Sequence, residues 1–393
     1  MKYASVTERL AGLGGAKWAV HFEARKLQAE GRRVIELTIG EPDVATPQIL
    51  IDAAVRGLEA GRTGYSNGRG EAGLLRILAA RYSQRRGRPF TPQQFLALPG
   101  TQTVLFLLLA ALTDAGDEVL VADPMYATYE GVIRASGATM VPVQLSPEHG
   151  FRLQAADVAA KITPRSRVLF LNSPHNPSGA VLTKDDIRAL GELAVEHDLW
   201  IVSDEVYEDL VFPGVSFASP LDFPEFADRT VAAASISKSH AAPGFRSGWC
   251  VGPEEFISRA LPLAETMLFG NQPFLADATA AALASPSDVA GGMAERFKRR
   301  ADSLYETLEG VAGLRVHRPE AGMFALIDVR ASGMSGERFA LDLLARTGVA
   351  VMPGESFGNG LAGWLRVSLT RPDAELAEAA EAIAEFAKQR VAA

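Results

Sequence analysis

Short apolar segments alternate with amphipathic segments through most of the chain. Segments 167–172 and 230–235, for example, are apolar along most of their length, which is typical of strands buried on both faces of a parallel sheet. The segments between them have helical composition, so the pattern predicts an α/β fold in which helices cover a mostly parallel sheet. The predicted strands are 34–39, 96–98, 117–122, 139–143, 167–172, 199–204, 230–235 and 247–251, and the predicted helices are 16–30, 47–61, 71–86, 101–113, 125–136, 153–162 and 183–197.

The pattern changes after residue 254. A helical region is followed by fewer strands, which predicts a separate and smaller α+β domain. We predict a large domain over 46–285 and a small domain made of 1–45 together with 286–393. The predicted elements of the second part are a long helical region at 254–312, strands at 322–329, 349–352 and 364–369, and helices at 336–347 and 373–391.

Composition excludes several classes of protein. The formal charge of −8 argues against general affinity for nucleic acids. The single cysteine, Cys250, excludes an internal disulfide framework and a cysteine-rich zinc site, and its apolar setting predicts a buried strand. The histidines have no metal-ligand spacing, and no apolar stretch is long enough to span a bilayer. We expect an enzyme of the cytoplasm that binds neither metal, nucleic acid nor membrane.

The segment 235–248, SISKSHAAPGFRSG, gives the strongest chemical signal. Lys238 follows the predicted strand 230–235 among small residues, and burial there would disfavour its charged form. A neutral amine is what a Schiff base with a carbonyl cofactor requires, and neighbouring serines and Arg246 are suited to bind a phosphate. The segment therefore indicates pyridoxal 5′-phosphate bound covalently to Lys238, and a polar loop with an exposed lysine is the alternative.

Polar motifs also follow other predicted strands. Gly100-Thr101-Gln102 precedes an apolar helix, whose N-terminal N–H groups can bind a phosphate. In doubly wound sheets, ligands bind beyond the carboxyl ends of the strands, so we expect the polar motifs to meet in one site. The other motifs are DPMY (123–126), NSPHNPSG (172–179) and DEVY (204–207).

Together these motifs resemble the class I and II aminotransferases of fold type I, which depend on pyridoxal phosphate. The resemblance covers essentially the whole chain. It implies a seven-stranded sheet in the large domain, an amino acid and a 2-oxo acid as substrates, and a homodimer with shared active sites. The matching motifs are IGEPD (39–43), the loop 61–70 around Tyr65, GTQ (100–102), DPMYATY (123–129), SPHNPSG (173–179), SDEVY (203–207), SISKSHAAPGFRSG (235–248) and WLRVSL (364–369).

The resemblance implies a role for each matching residue. Lys238 carries the cofactor and transfers the substrate proton, Asp204 pairs with the ring nitrogen, and Tyr207 with Asn176 bonds to the 3′ oxygen. Tyr126 stacks on the ring, and Tyr65 reaches the cofactor phosphate of the partner subunit. Phosphate binding is assigned to Thr101, Gln102, Ser235, Ser237 and Arg246, and substrate binding to Gly40, Asn176 and Arg366.

Three of these residues also have an ordinary structural interpretation. Asp204 could cap a helix after its strand. Asn176 could form an Asx turn before proline, and Tyr126 could be a core aromatic residue.

The resemblance also bears on the substrate. Relatives specific for dicarboxylic acids need a cation for the distal carboxylate, but this chain has no Arg or Lys between Arg259 and Arg296, and Thr101 stands where one subgroup has a lysine. The motifs look most like the arginine–pyruvate subgroup. Glu41 and Asp43 are acids that could meet a basic side chain, although acids are common there in the family.

The sequence leaves other functions open. An aspartate or aromatic aminotransferase would share the same cofactor motifs, as would a C–S lyase of the same fold. A non-catalytic sensor is a further possibility, but the aminotransferase-like sequence begins at once and retains Lys238, Asp204 and Arg366.

Overall fold

The computed structural model describes residues 1–13 and 15–391. Its secondary structure follows the predicted alternation of helices and strands. The strands are β1 (Ile35–Leu37), β2 (Phe95–Leu98), β3 (Glu118–Asp123), β4 (Thr139–Gln144), β5 (Ser166–Asn172), β6 (Trp200–Asp204), β7 (Thr230–Ser235), β8 (Gly248–Val251), β9 (Arg315–His317), β10 (Phe324–Asp328), β11 (Val349–Pro353) and β12 (Trp364–Ser368). The α-helices are α1 (Ser5–Arg9), α2 (Ala19–Ala29), α3 (Gln48–Glu59), α4 (Ala72–Arg86), α5 (Gly100–Leu112), α6 (Tyr129–Ser136), α7 (Ala155–Ala159), α8 (Lys184–Glu196), α9 (Ile236–Ser239), α10 (Glu254–Leu268), α11 (Pro273–Leu283), α12 (Val289–Leu308), α13 (Gly336–Thr347) and α14 (Asp373–Val391).

The larger sheet has seven strands in the order β2-β8-β7-β6-β5-β3-β4. Neighbouring strands from β7 to β4 are parallel, whereas β8 is antiparallel to both of its neighbours. Alternate residues of β3 pack into the hydrophobic cores on opposite faces of the sheet. Val119 and Val121 pack on the α5 side, and Leu120 and Ala122 pack on the α8 side. This alternation explains why the strands are apolar throughout, and it confirms the predicted α/β fold of type I.

The smaller sheet has the order β1-β11-β12-β10-β9. Strand β1 pairs in parallel with β11, so the N-terminal segment joins the C-terminal part of the chain. This pairing supports the proposed small domain of 1–45 and 286–393, of which Gly14, Ala392 and Ala393 lie outside the described residues. The boundary at residues 285 and 286 stays a proposal.

Differences from the predicted elements have local causes. Helix α6 begins at Tyr129 rather than 125, because the residues after Pro124 form an irregular segment that carries Tyr126. The helical region 254–312 consists of α10, α11 and α12, separated by loops. Helix α8 begins as predicted at a capping box: the Thr183 side chain accepts the Asp186 N–H, and the Asp186 carboxylate accepts the Thr183 N–H.

The sequence led us to expect neither a membrane-spanning segment nor a metal site. Within residues 1–13 and 15–391, no helix is both long enough and apolar enough to cross a membrane. The same residues contain no cluster of three His, Cys, Asp or Glu side chains suited to a metal ion.

Cys250 is buried in β8, where burial raises the pKa of its thiol to about 12.

Candidate active site

The polar motifs meet in a cavity of about 290 Å³ at the carboxyl ends of β3, β5, β6 and β7. We name it the strand-end cavity. All the residues predicted for the site except Tyr65 line this cavity, namely Gly40, Thr101, Gln102, Tyr126, Asn176, Asp204, Tyr207, Ser235, Ser237, Lys238, Arg246 and Arg366.

Lys238 lies in the short helix α9, directly after β7. The Ser235 side chain caps this helix by accepting the Ser237 N–H at 3.3 Å. The Lys238 Nζ donates to the carbonyl oxygen of Gly40 at 2.8 Å. Burial lowers the pKa of Lys238 to about 8, against the opposing charge of Glu41. A substantial fraction of the amine is therefore neutral near pH 8, as a nucleophile or base requires.

Asp204 ends β6 and is buried. Its Oδ2 accepts the Tyr129 hydroxyl at 2.7 Å, and its Oδ1 accepts the Val206 N–H at 3.1 Å. Burial raises the pKa of Asp204 to about 6, and both hydrogen bonds oppose this rise. The Val206 bond begins the turn at 206–209, whereas the alternative interpretation of Asp204 was a cap on a helix. The carboxylate nevertheless lines the cavity and forms no ion pair with the described residues, so it is suited to bind a protonated ring nitrogen.

Asn176 and Tyr207 lie next to each other in the wall of the cavity. The Asn176 N–H donates to Oδ1 of Asn172 at 2.9 Å, which fixes the loop after β5. Burial raises the pKa of Tyr207, so its phenol stays protonated. The Tyr207 hydroxyl and the Asn176 amide can therefore both donate a hydrogen bond to a ring oxygen. Tyr126, in the same cavity, packs edge-on against Tyr129 with ring centroids 5.5 Å apart.

The N-terminus of α5 and Arg246 form the predicted phosphate end. Gly100 has φ of +81°, and a Cβ there would lie 2.3 Å from the Arg246 guanidinium, so only glycine allows this approach. The Thr101 hydroxyl is buried and has no hydrogen-bond partner among the described residues. The Gln102 side chain accepts the Thr128 hydroxyl at 2.9 Å, and its backbone N–H lies in the first turn of α5, where the helix offers it no partner. Unpaired donors at a helix N-terminus fit a phosphate.

Arg366 forms the predicted carboxylate end. It is 2% exposed and lies between the rings of Phe324 and Phe357, at 3.8 and 4.3 Å from their centroids. Its guanidinium donates to Asn176 Oδ1 at 3.2 Å and to the Thr38 carbonyl at 2.6 Å. Burial lowers the pKa of Arg366 to about 10. Its Nε has no partner, and it forms no ion pair with a carboxylate of the described residues. A substrate carboxylate would supply one.

Gly40 is required by the packing of this wall. A Cβ at Gly40 would lie 2.2 Å from Phe324 Cζ and 2.9 Å from Met323 Sδ, so any side chain would displace them.

Tyr65 lies outside the strand-end cavity of its own chain. It is 93% exposed and packs edge-on against Phe269, itself well exposed, with centroids 5.4 Å apart.

The sequence predicts no role for Tyr129, although this residue belongs to the motif DPMYATY (123–129). The Tyr129 hydroxyl donates to Asp204, and the pattern of polar and apolar residues in the motif does not indicate this contact. His175, in the motif SPHNPSG (173–179), likewise has no predicted role. Burial lowers the pKa of its imidazole to about 4, and its Nε2 donates to the Pro124 carbonyl at 3.1 Å, which joins the loops after β3 and β5. The remaining unassigned lining residues are Trp18, Ile39, Leu105, Val206, Pro243 and Phe324.

The cavity as a whole fits pyridoxal phosphate. It presents a lysine of lowered pKa, a buried carboxylate, and unpaired donors from Thr101 and Arg366. Each matches one part of the cofactor–substrate pair: the aldehyde, the ring nitrogen, the phosphate and the substrate carboxylate.

Known proteins share both the sequence and this architecture. The chain is 44% identical over 384 residues to the arginine–pyruvate transaminase AruH of Pseudomonas aeruginosa, covering 98% of each chain. It is 35% identical to the aspartate/prephenate aminotransferase of Cereibacter sphaeroides, covering 94% of each. The solved structure of Thermus thermophilus aspartate aminotransferase with maleate matches with a TM-score of 0.91 and 33% identity, covering 98% of this chain and all of that chain. The family model for aminotransferase class I and II matches residues 32–383, and the chain therefore belongs to this family of aminotransferases, which depend on pyridoxal phosphate.

Proposed function

We propose that the chain transfers the amino group of a monocarboxylic or basic L-amino acid to a 2-oxo acid such as pyruvate. The observation that carries this proposal is the buried guanidinium of Arg366, which forms no ion pair with a carboxylate of the described residues. The other cations that line the strand-end cavity, Lys238 and Arg246, have roles of their own. No further cation of the described lining remains for the second carboxylate of aspartate.

The protein groups have distinct tasks in the reaction. Arg366 and Asn176 would bind and orient the substrate α-carboxylate, and Phe324 beside them would keep water away. Asp204 would hold a proton on the ring nitrogen of the cofactor. Pyridoxal phosphate, attached to Lys238, supplies an electron sink for the bond between Cα and hydrogen. Displaced by the substrate amine, Lys238 would take the proton from Cα at its Nζ and give it up again on the other side of the transfer.

A panel of amino acids and 2-oxo acids tests this proposal. We expect a basic amino acid, or a monocarboxylic one other than alanine, to give a higher kcat/KM with pyruvate as acceptor than aspartate gives with 2-oxoglutarate. The best efficiency with aspartate would contradict the substrate proposal. Release of ammonia and pyruvate without a second oxo acid would instead show a C–S lyase.

We further propose that the active unit is a homodimer in which Tyr65 serves the partner subunit. Ile51, Val55 and Leu58 lie on one face of α3 and are all exposed, and an unpartnered apolar helix face favours a protein contact. Tyr65 and Phe269 form a second exposed apolar contact. A second copy of the chain would cover these residues and could receive the Tyr65 hydroxyl at its phosphate site.

Mixed dimers test whether Tyr65 acts across the interface. In a mixture of Tyr65→Phe and Lys238→Ala subunits, one site of a mixed dimer collects both changes and the other has neither. Activity should therefore exceed that of either parent. Arg246→Gln mixed with Lys238→Ala is the matched control, because both residues lie in the same cavity and no intact site can form. No recovery in the first mixture, with subunit exchange shown, would mean that Tyr65 does not act in the partner.

The cytoplasmic location expected from the sequence stays a prediction.

A further inference from the structure

A second cavity of about 740 Å³ lies beside the strand-end cavity. Ile39 lines both cavities, Gly40 lines the first, and Glu41 lines the second. Three consecutive residues therefore form the partition between them. The second cavity is lined by His21, Arg25, Glu36, Ile39, Glu41, Pro42, Asp43, Arg300, Thr370, Arg371 and Pro372.

Most charged groups of the second cavity are already paired. Asp43 bonds to Arg300 at 2.7 Å and to Arg296 at 3.2 Å. Glu36 lies 2.6 Å from the His21 imidazole, and Arg371 bonds to Glu375.

Two charged groups of the lining, Glu41 and Arg25, form no ion pair with the described residues. Glu41 is the one close to the chemistry, because it follows Gly40, whose carbonyl lies 2.8 Å from Lys238 Nζ. The charge of Glu41 also reaches this amine and counteracts the lowering of its pKa, whereas the cations that act on it are Arg366 and Arg246. Arg25 lies on α2, and both Arg25 and Glu41 are exposed. The uncommitted charge nearest the reacting centre is therefore negative.

We propose that Glu41 binds the distal cation of a long basic donor side chain that extends past Ile39 into the second cavity. This inference rests on the proposed function of the strand-end cavity and names the class of donor. Trp18 and Ile39 offer an apolar wall for the methylene stem of such a side chain, as long cationic side chains commonly require. The sequence offered both Glu41 and Asp43 as acids that could meet a basic side chain. The structure favours Glu41, because Asp43 is already paired with Arg296 and Arg300.

The test compares L-arginine with L-citrulline, its neutral isostere, as donors for wild-type enzyme and for Glu41→Gln. The ratio of their kcat/KM values removes any effect of Glu41 on Lys238 that is common to both donors. We expect the ratio to fall about tenfold in Glu41→Gln, since a hydrogen bond to a charged group is lost. Glu192→Gln, an equal charge change at an exposed position of α8 that lines neither cavity, should leave the ratio unchanged.

The outcomes separate this inference from the proposed function. An unchanged ratio in Glu41→Gln, with both donors still transaminated, would overturn the role of Glu41 alone. A fall in the ratio in Arg25→Gln but not in Glu41→Gln would also contradict it. Absence of transamination with every donor would overturn the proposed function instead.

Discussion

Arg246 and Arg366 both line the strand-end cavity, but their surroundings differ. Arg246 is exposed, has φ of 48°, and donates to the carbonyl oxygens of Pro243 and Pro99 at 2.8 and 3.4 Å. Arg366 is almost fully buried between two aromatic rings, and its Nε has no partner. The first guanidinium stays in contact with water, whereas the second has lost most of its hydration.

This difference indicates what each arginine is for. A buried charge without a counter-ion is costly, so the fold keeps Arg366 in a form that gains most from a ligand carboxylate. An exposed guanidinium costs little and can exchange its carbonyl acceptors for a phosphate. We therefore expect Arg366 to control substrate binding and Arg246 to control cofactor binding, with neither moving a proton.

The largest effect should come from Lys238, because it alone of these cations can give up a proton near neutral pH. Lys238→Ala should retain noncovalent cofactor binding yet lose about 10²–10⁴-fold or more in kcat. Turnover measured at saturating pyridoxal phosphate checks this. Lys238→Arg, which keeps the charge but cannot become neutral, should be equally impaired. A Lys238→Ala enzyme within tenfold of wild type would shift the proton transfer to another group.

Arg366→Gln should have the next largest effect. Truncating one partner of a buried charge pair typically costs about 2–5 kcal/mol, so kcat/KM should fall about 30-fold or more for amino acid and oxo acid alike. The cofactor dissociation constant should stay close to wild type. Arg366→Lys keeps the charge but loses the planar fork, and should recover only part of the loss. A weakened cofactor with unchanged substrate KM would reverse the roles of the two arginines.

Arg246→Gln should give the complementary result. Loss of a charged hydrogen bond to the phosphate should weaken cofactor binding about tenfold, as measured by absorbance titration of the cofactor-free protein. The substrate KM at saturating cofactor should hardly change. A raised KM with normal cofactor affinity would contradict the assignment.

The smallest expected effect is a shift in the pKa of Lys238. Burial is the main cause that lowers this pKa to about 8, Glu41 opposes it, and Arg366 and then Arg246 add smaller decreases. The rate at which cofactor-free protein captures pyridoxal phosphate should therefore rise with pH through about 8 and then level off, as the neutral amine becomes the main form. Neutralising either arginine should move this midpoint upward, further for Arg366→Gln. Rapid-mixing rates across pH measure it, and a downward shift is the result that would falsify the assignment.

Much of the fold could be predicted from the sequence because fully apolar strands and amphipathic helices alternate so regularly. The short strand β9 was missed because Arg315-Val316-His317 has a single apolar residue, and its pairing with β10 is what makes it a strand. The loops within 254–312 were missed because their flanking helices share the same composition.

Individual site residues could be predicted only where they belong to a motif that matches the family. Asp204 and Glu205 are adjacent acids, but Glu205 bonds to Arg86, Ser203 and Ser219 instead of lining the strand-end cavity. Periodicity alone could not choose between them, and the family resemblance did. The Thr38 carbonyl that holds Arg366 comes from just after β1, far away in the sequence. A backbone acceptor leaves no signal in the residue type, so only the folded chain reveals it.

The most direct test of the central role of Lys238 is borohydride reduction of the purified, cofactor-loaded protein, followed by peptide mapping. The protein should be yellow before reduction, and the reduced cofactor should be found on Lys238 and on no other lysine. Preincubation with excess amino donor should prevent the labelling, since the donor displaces the lysine. A label on another lysine, or no label on a protein that still transaminates, would contradict the assignment of the strand-end cavity as the active site.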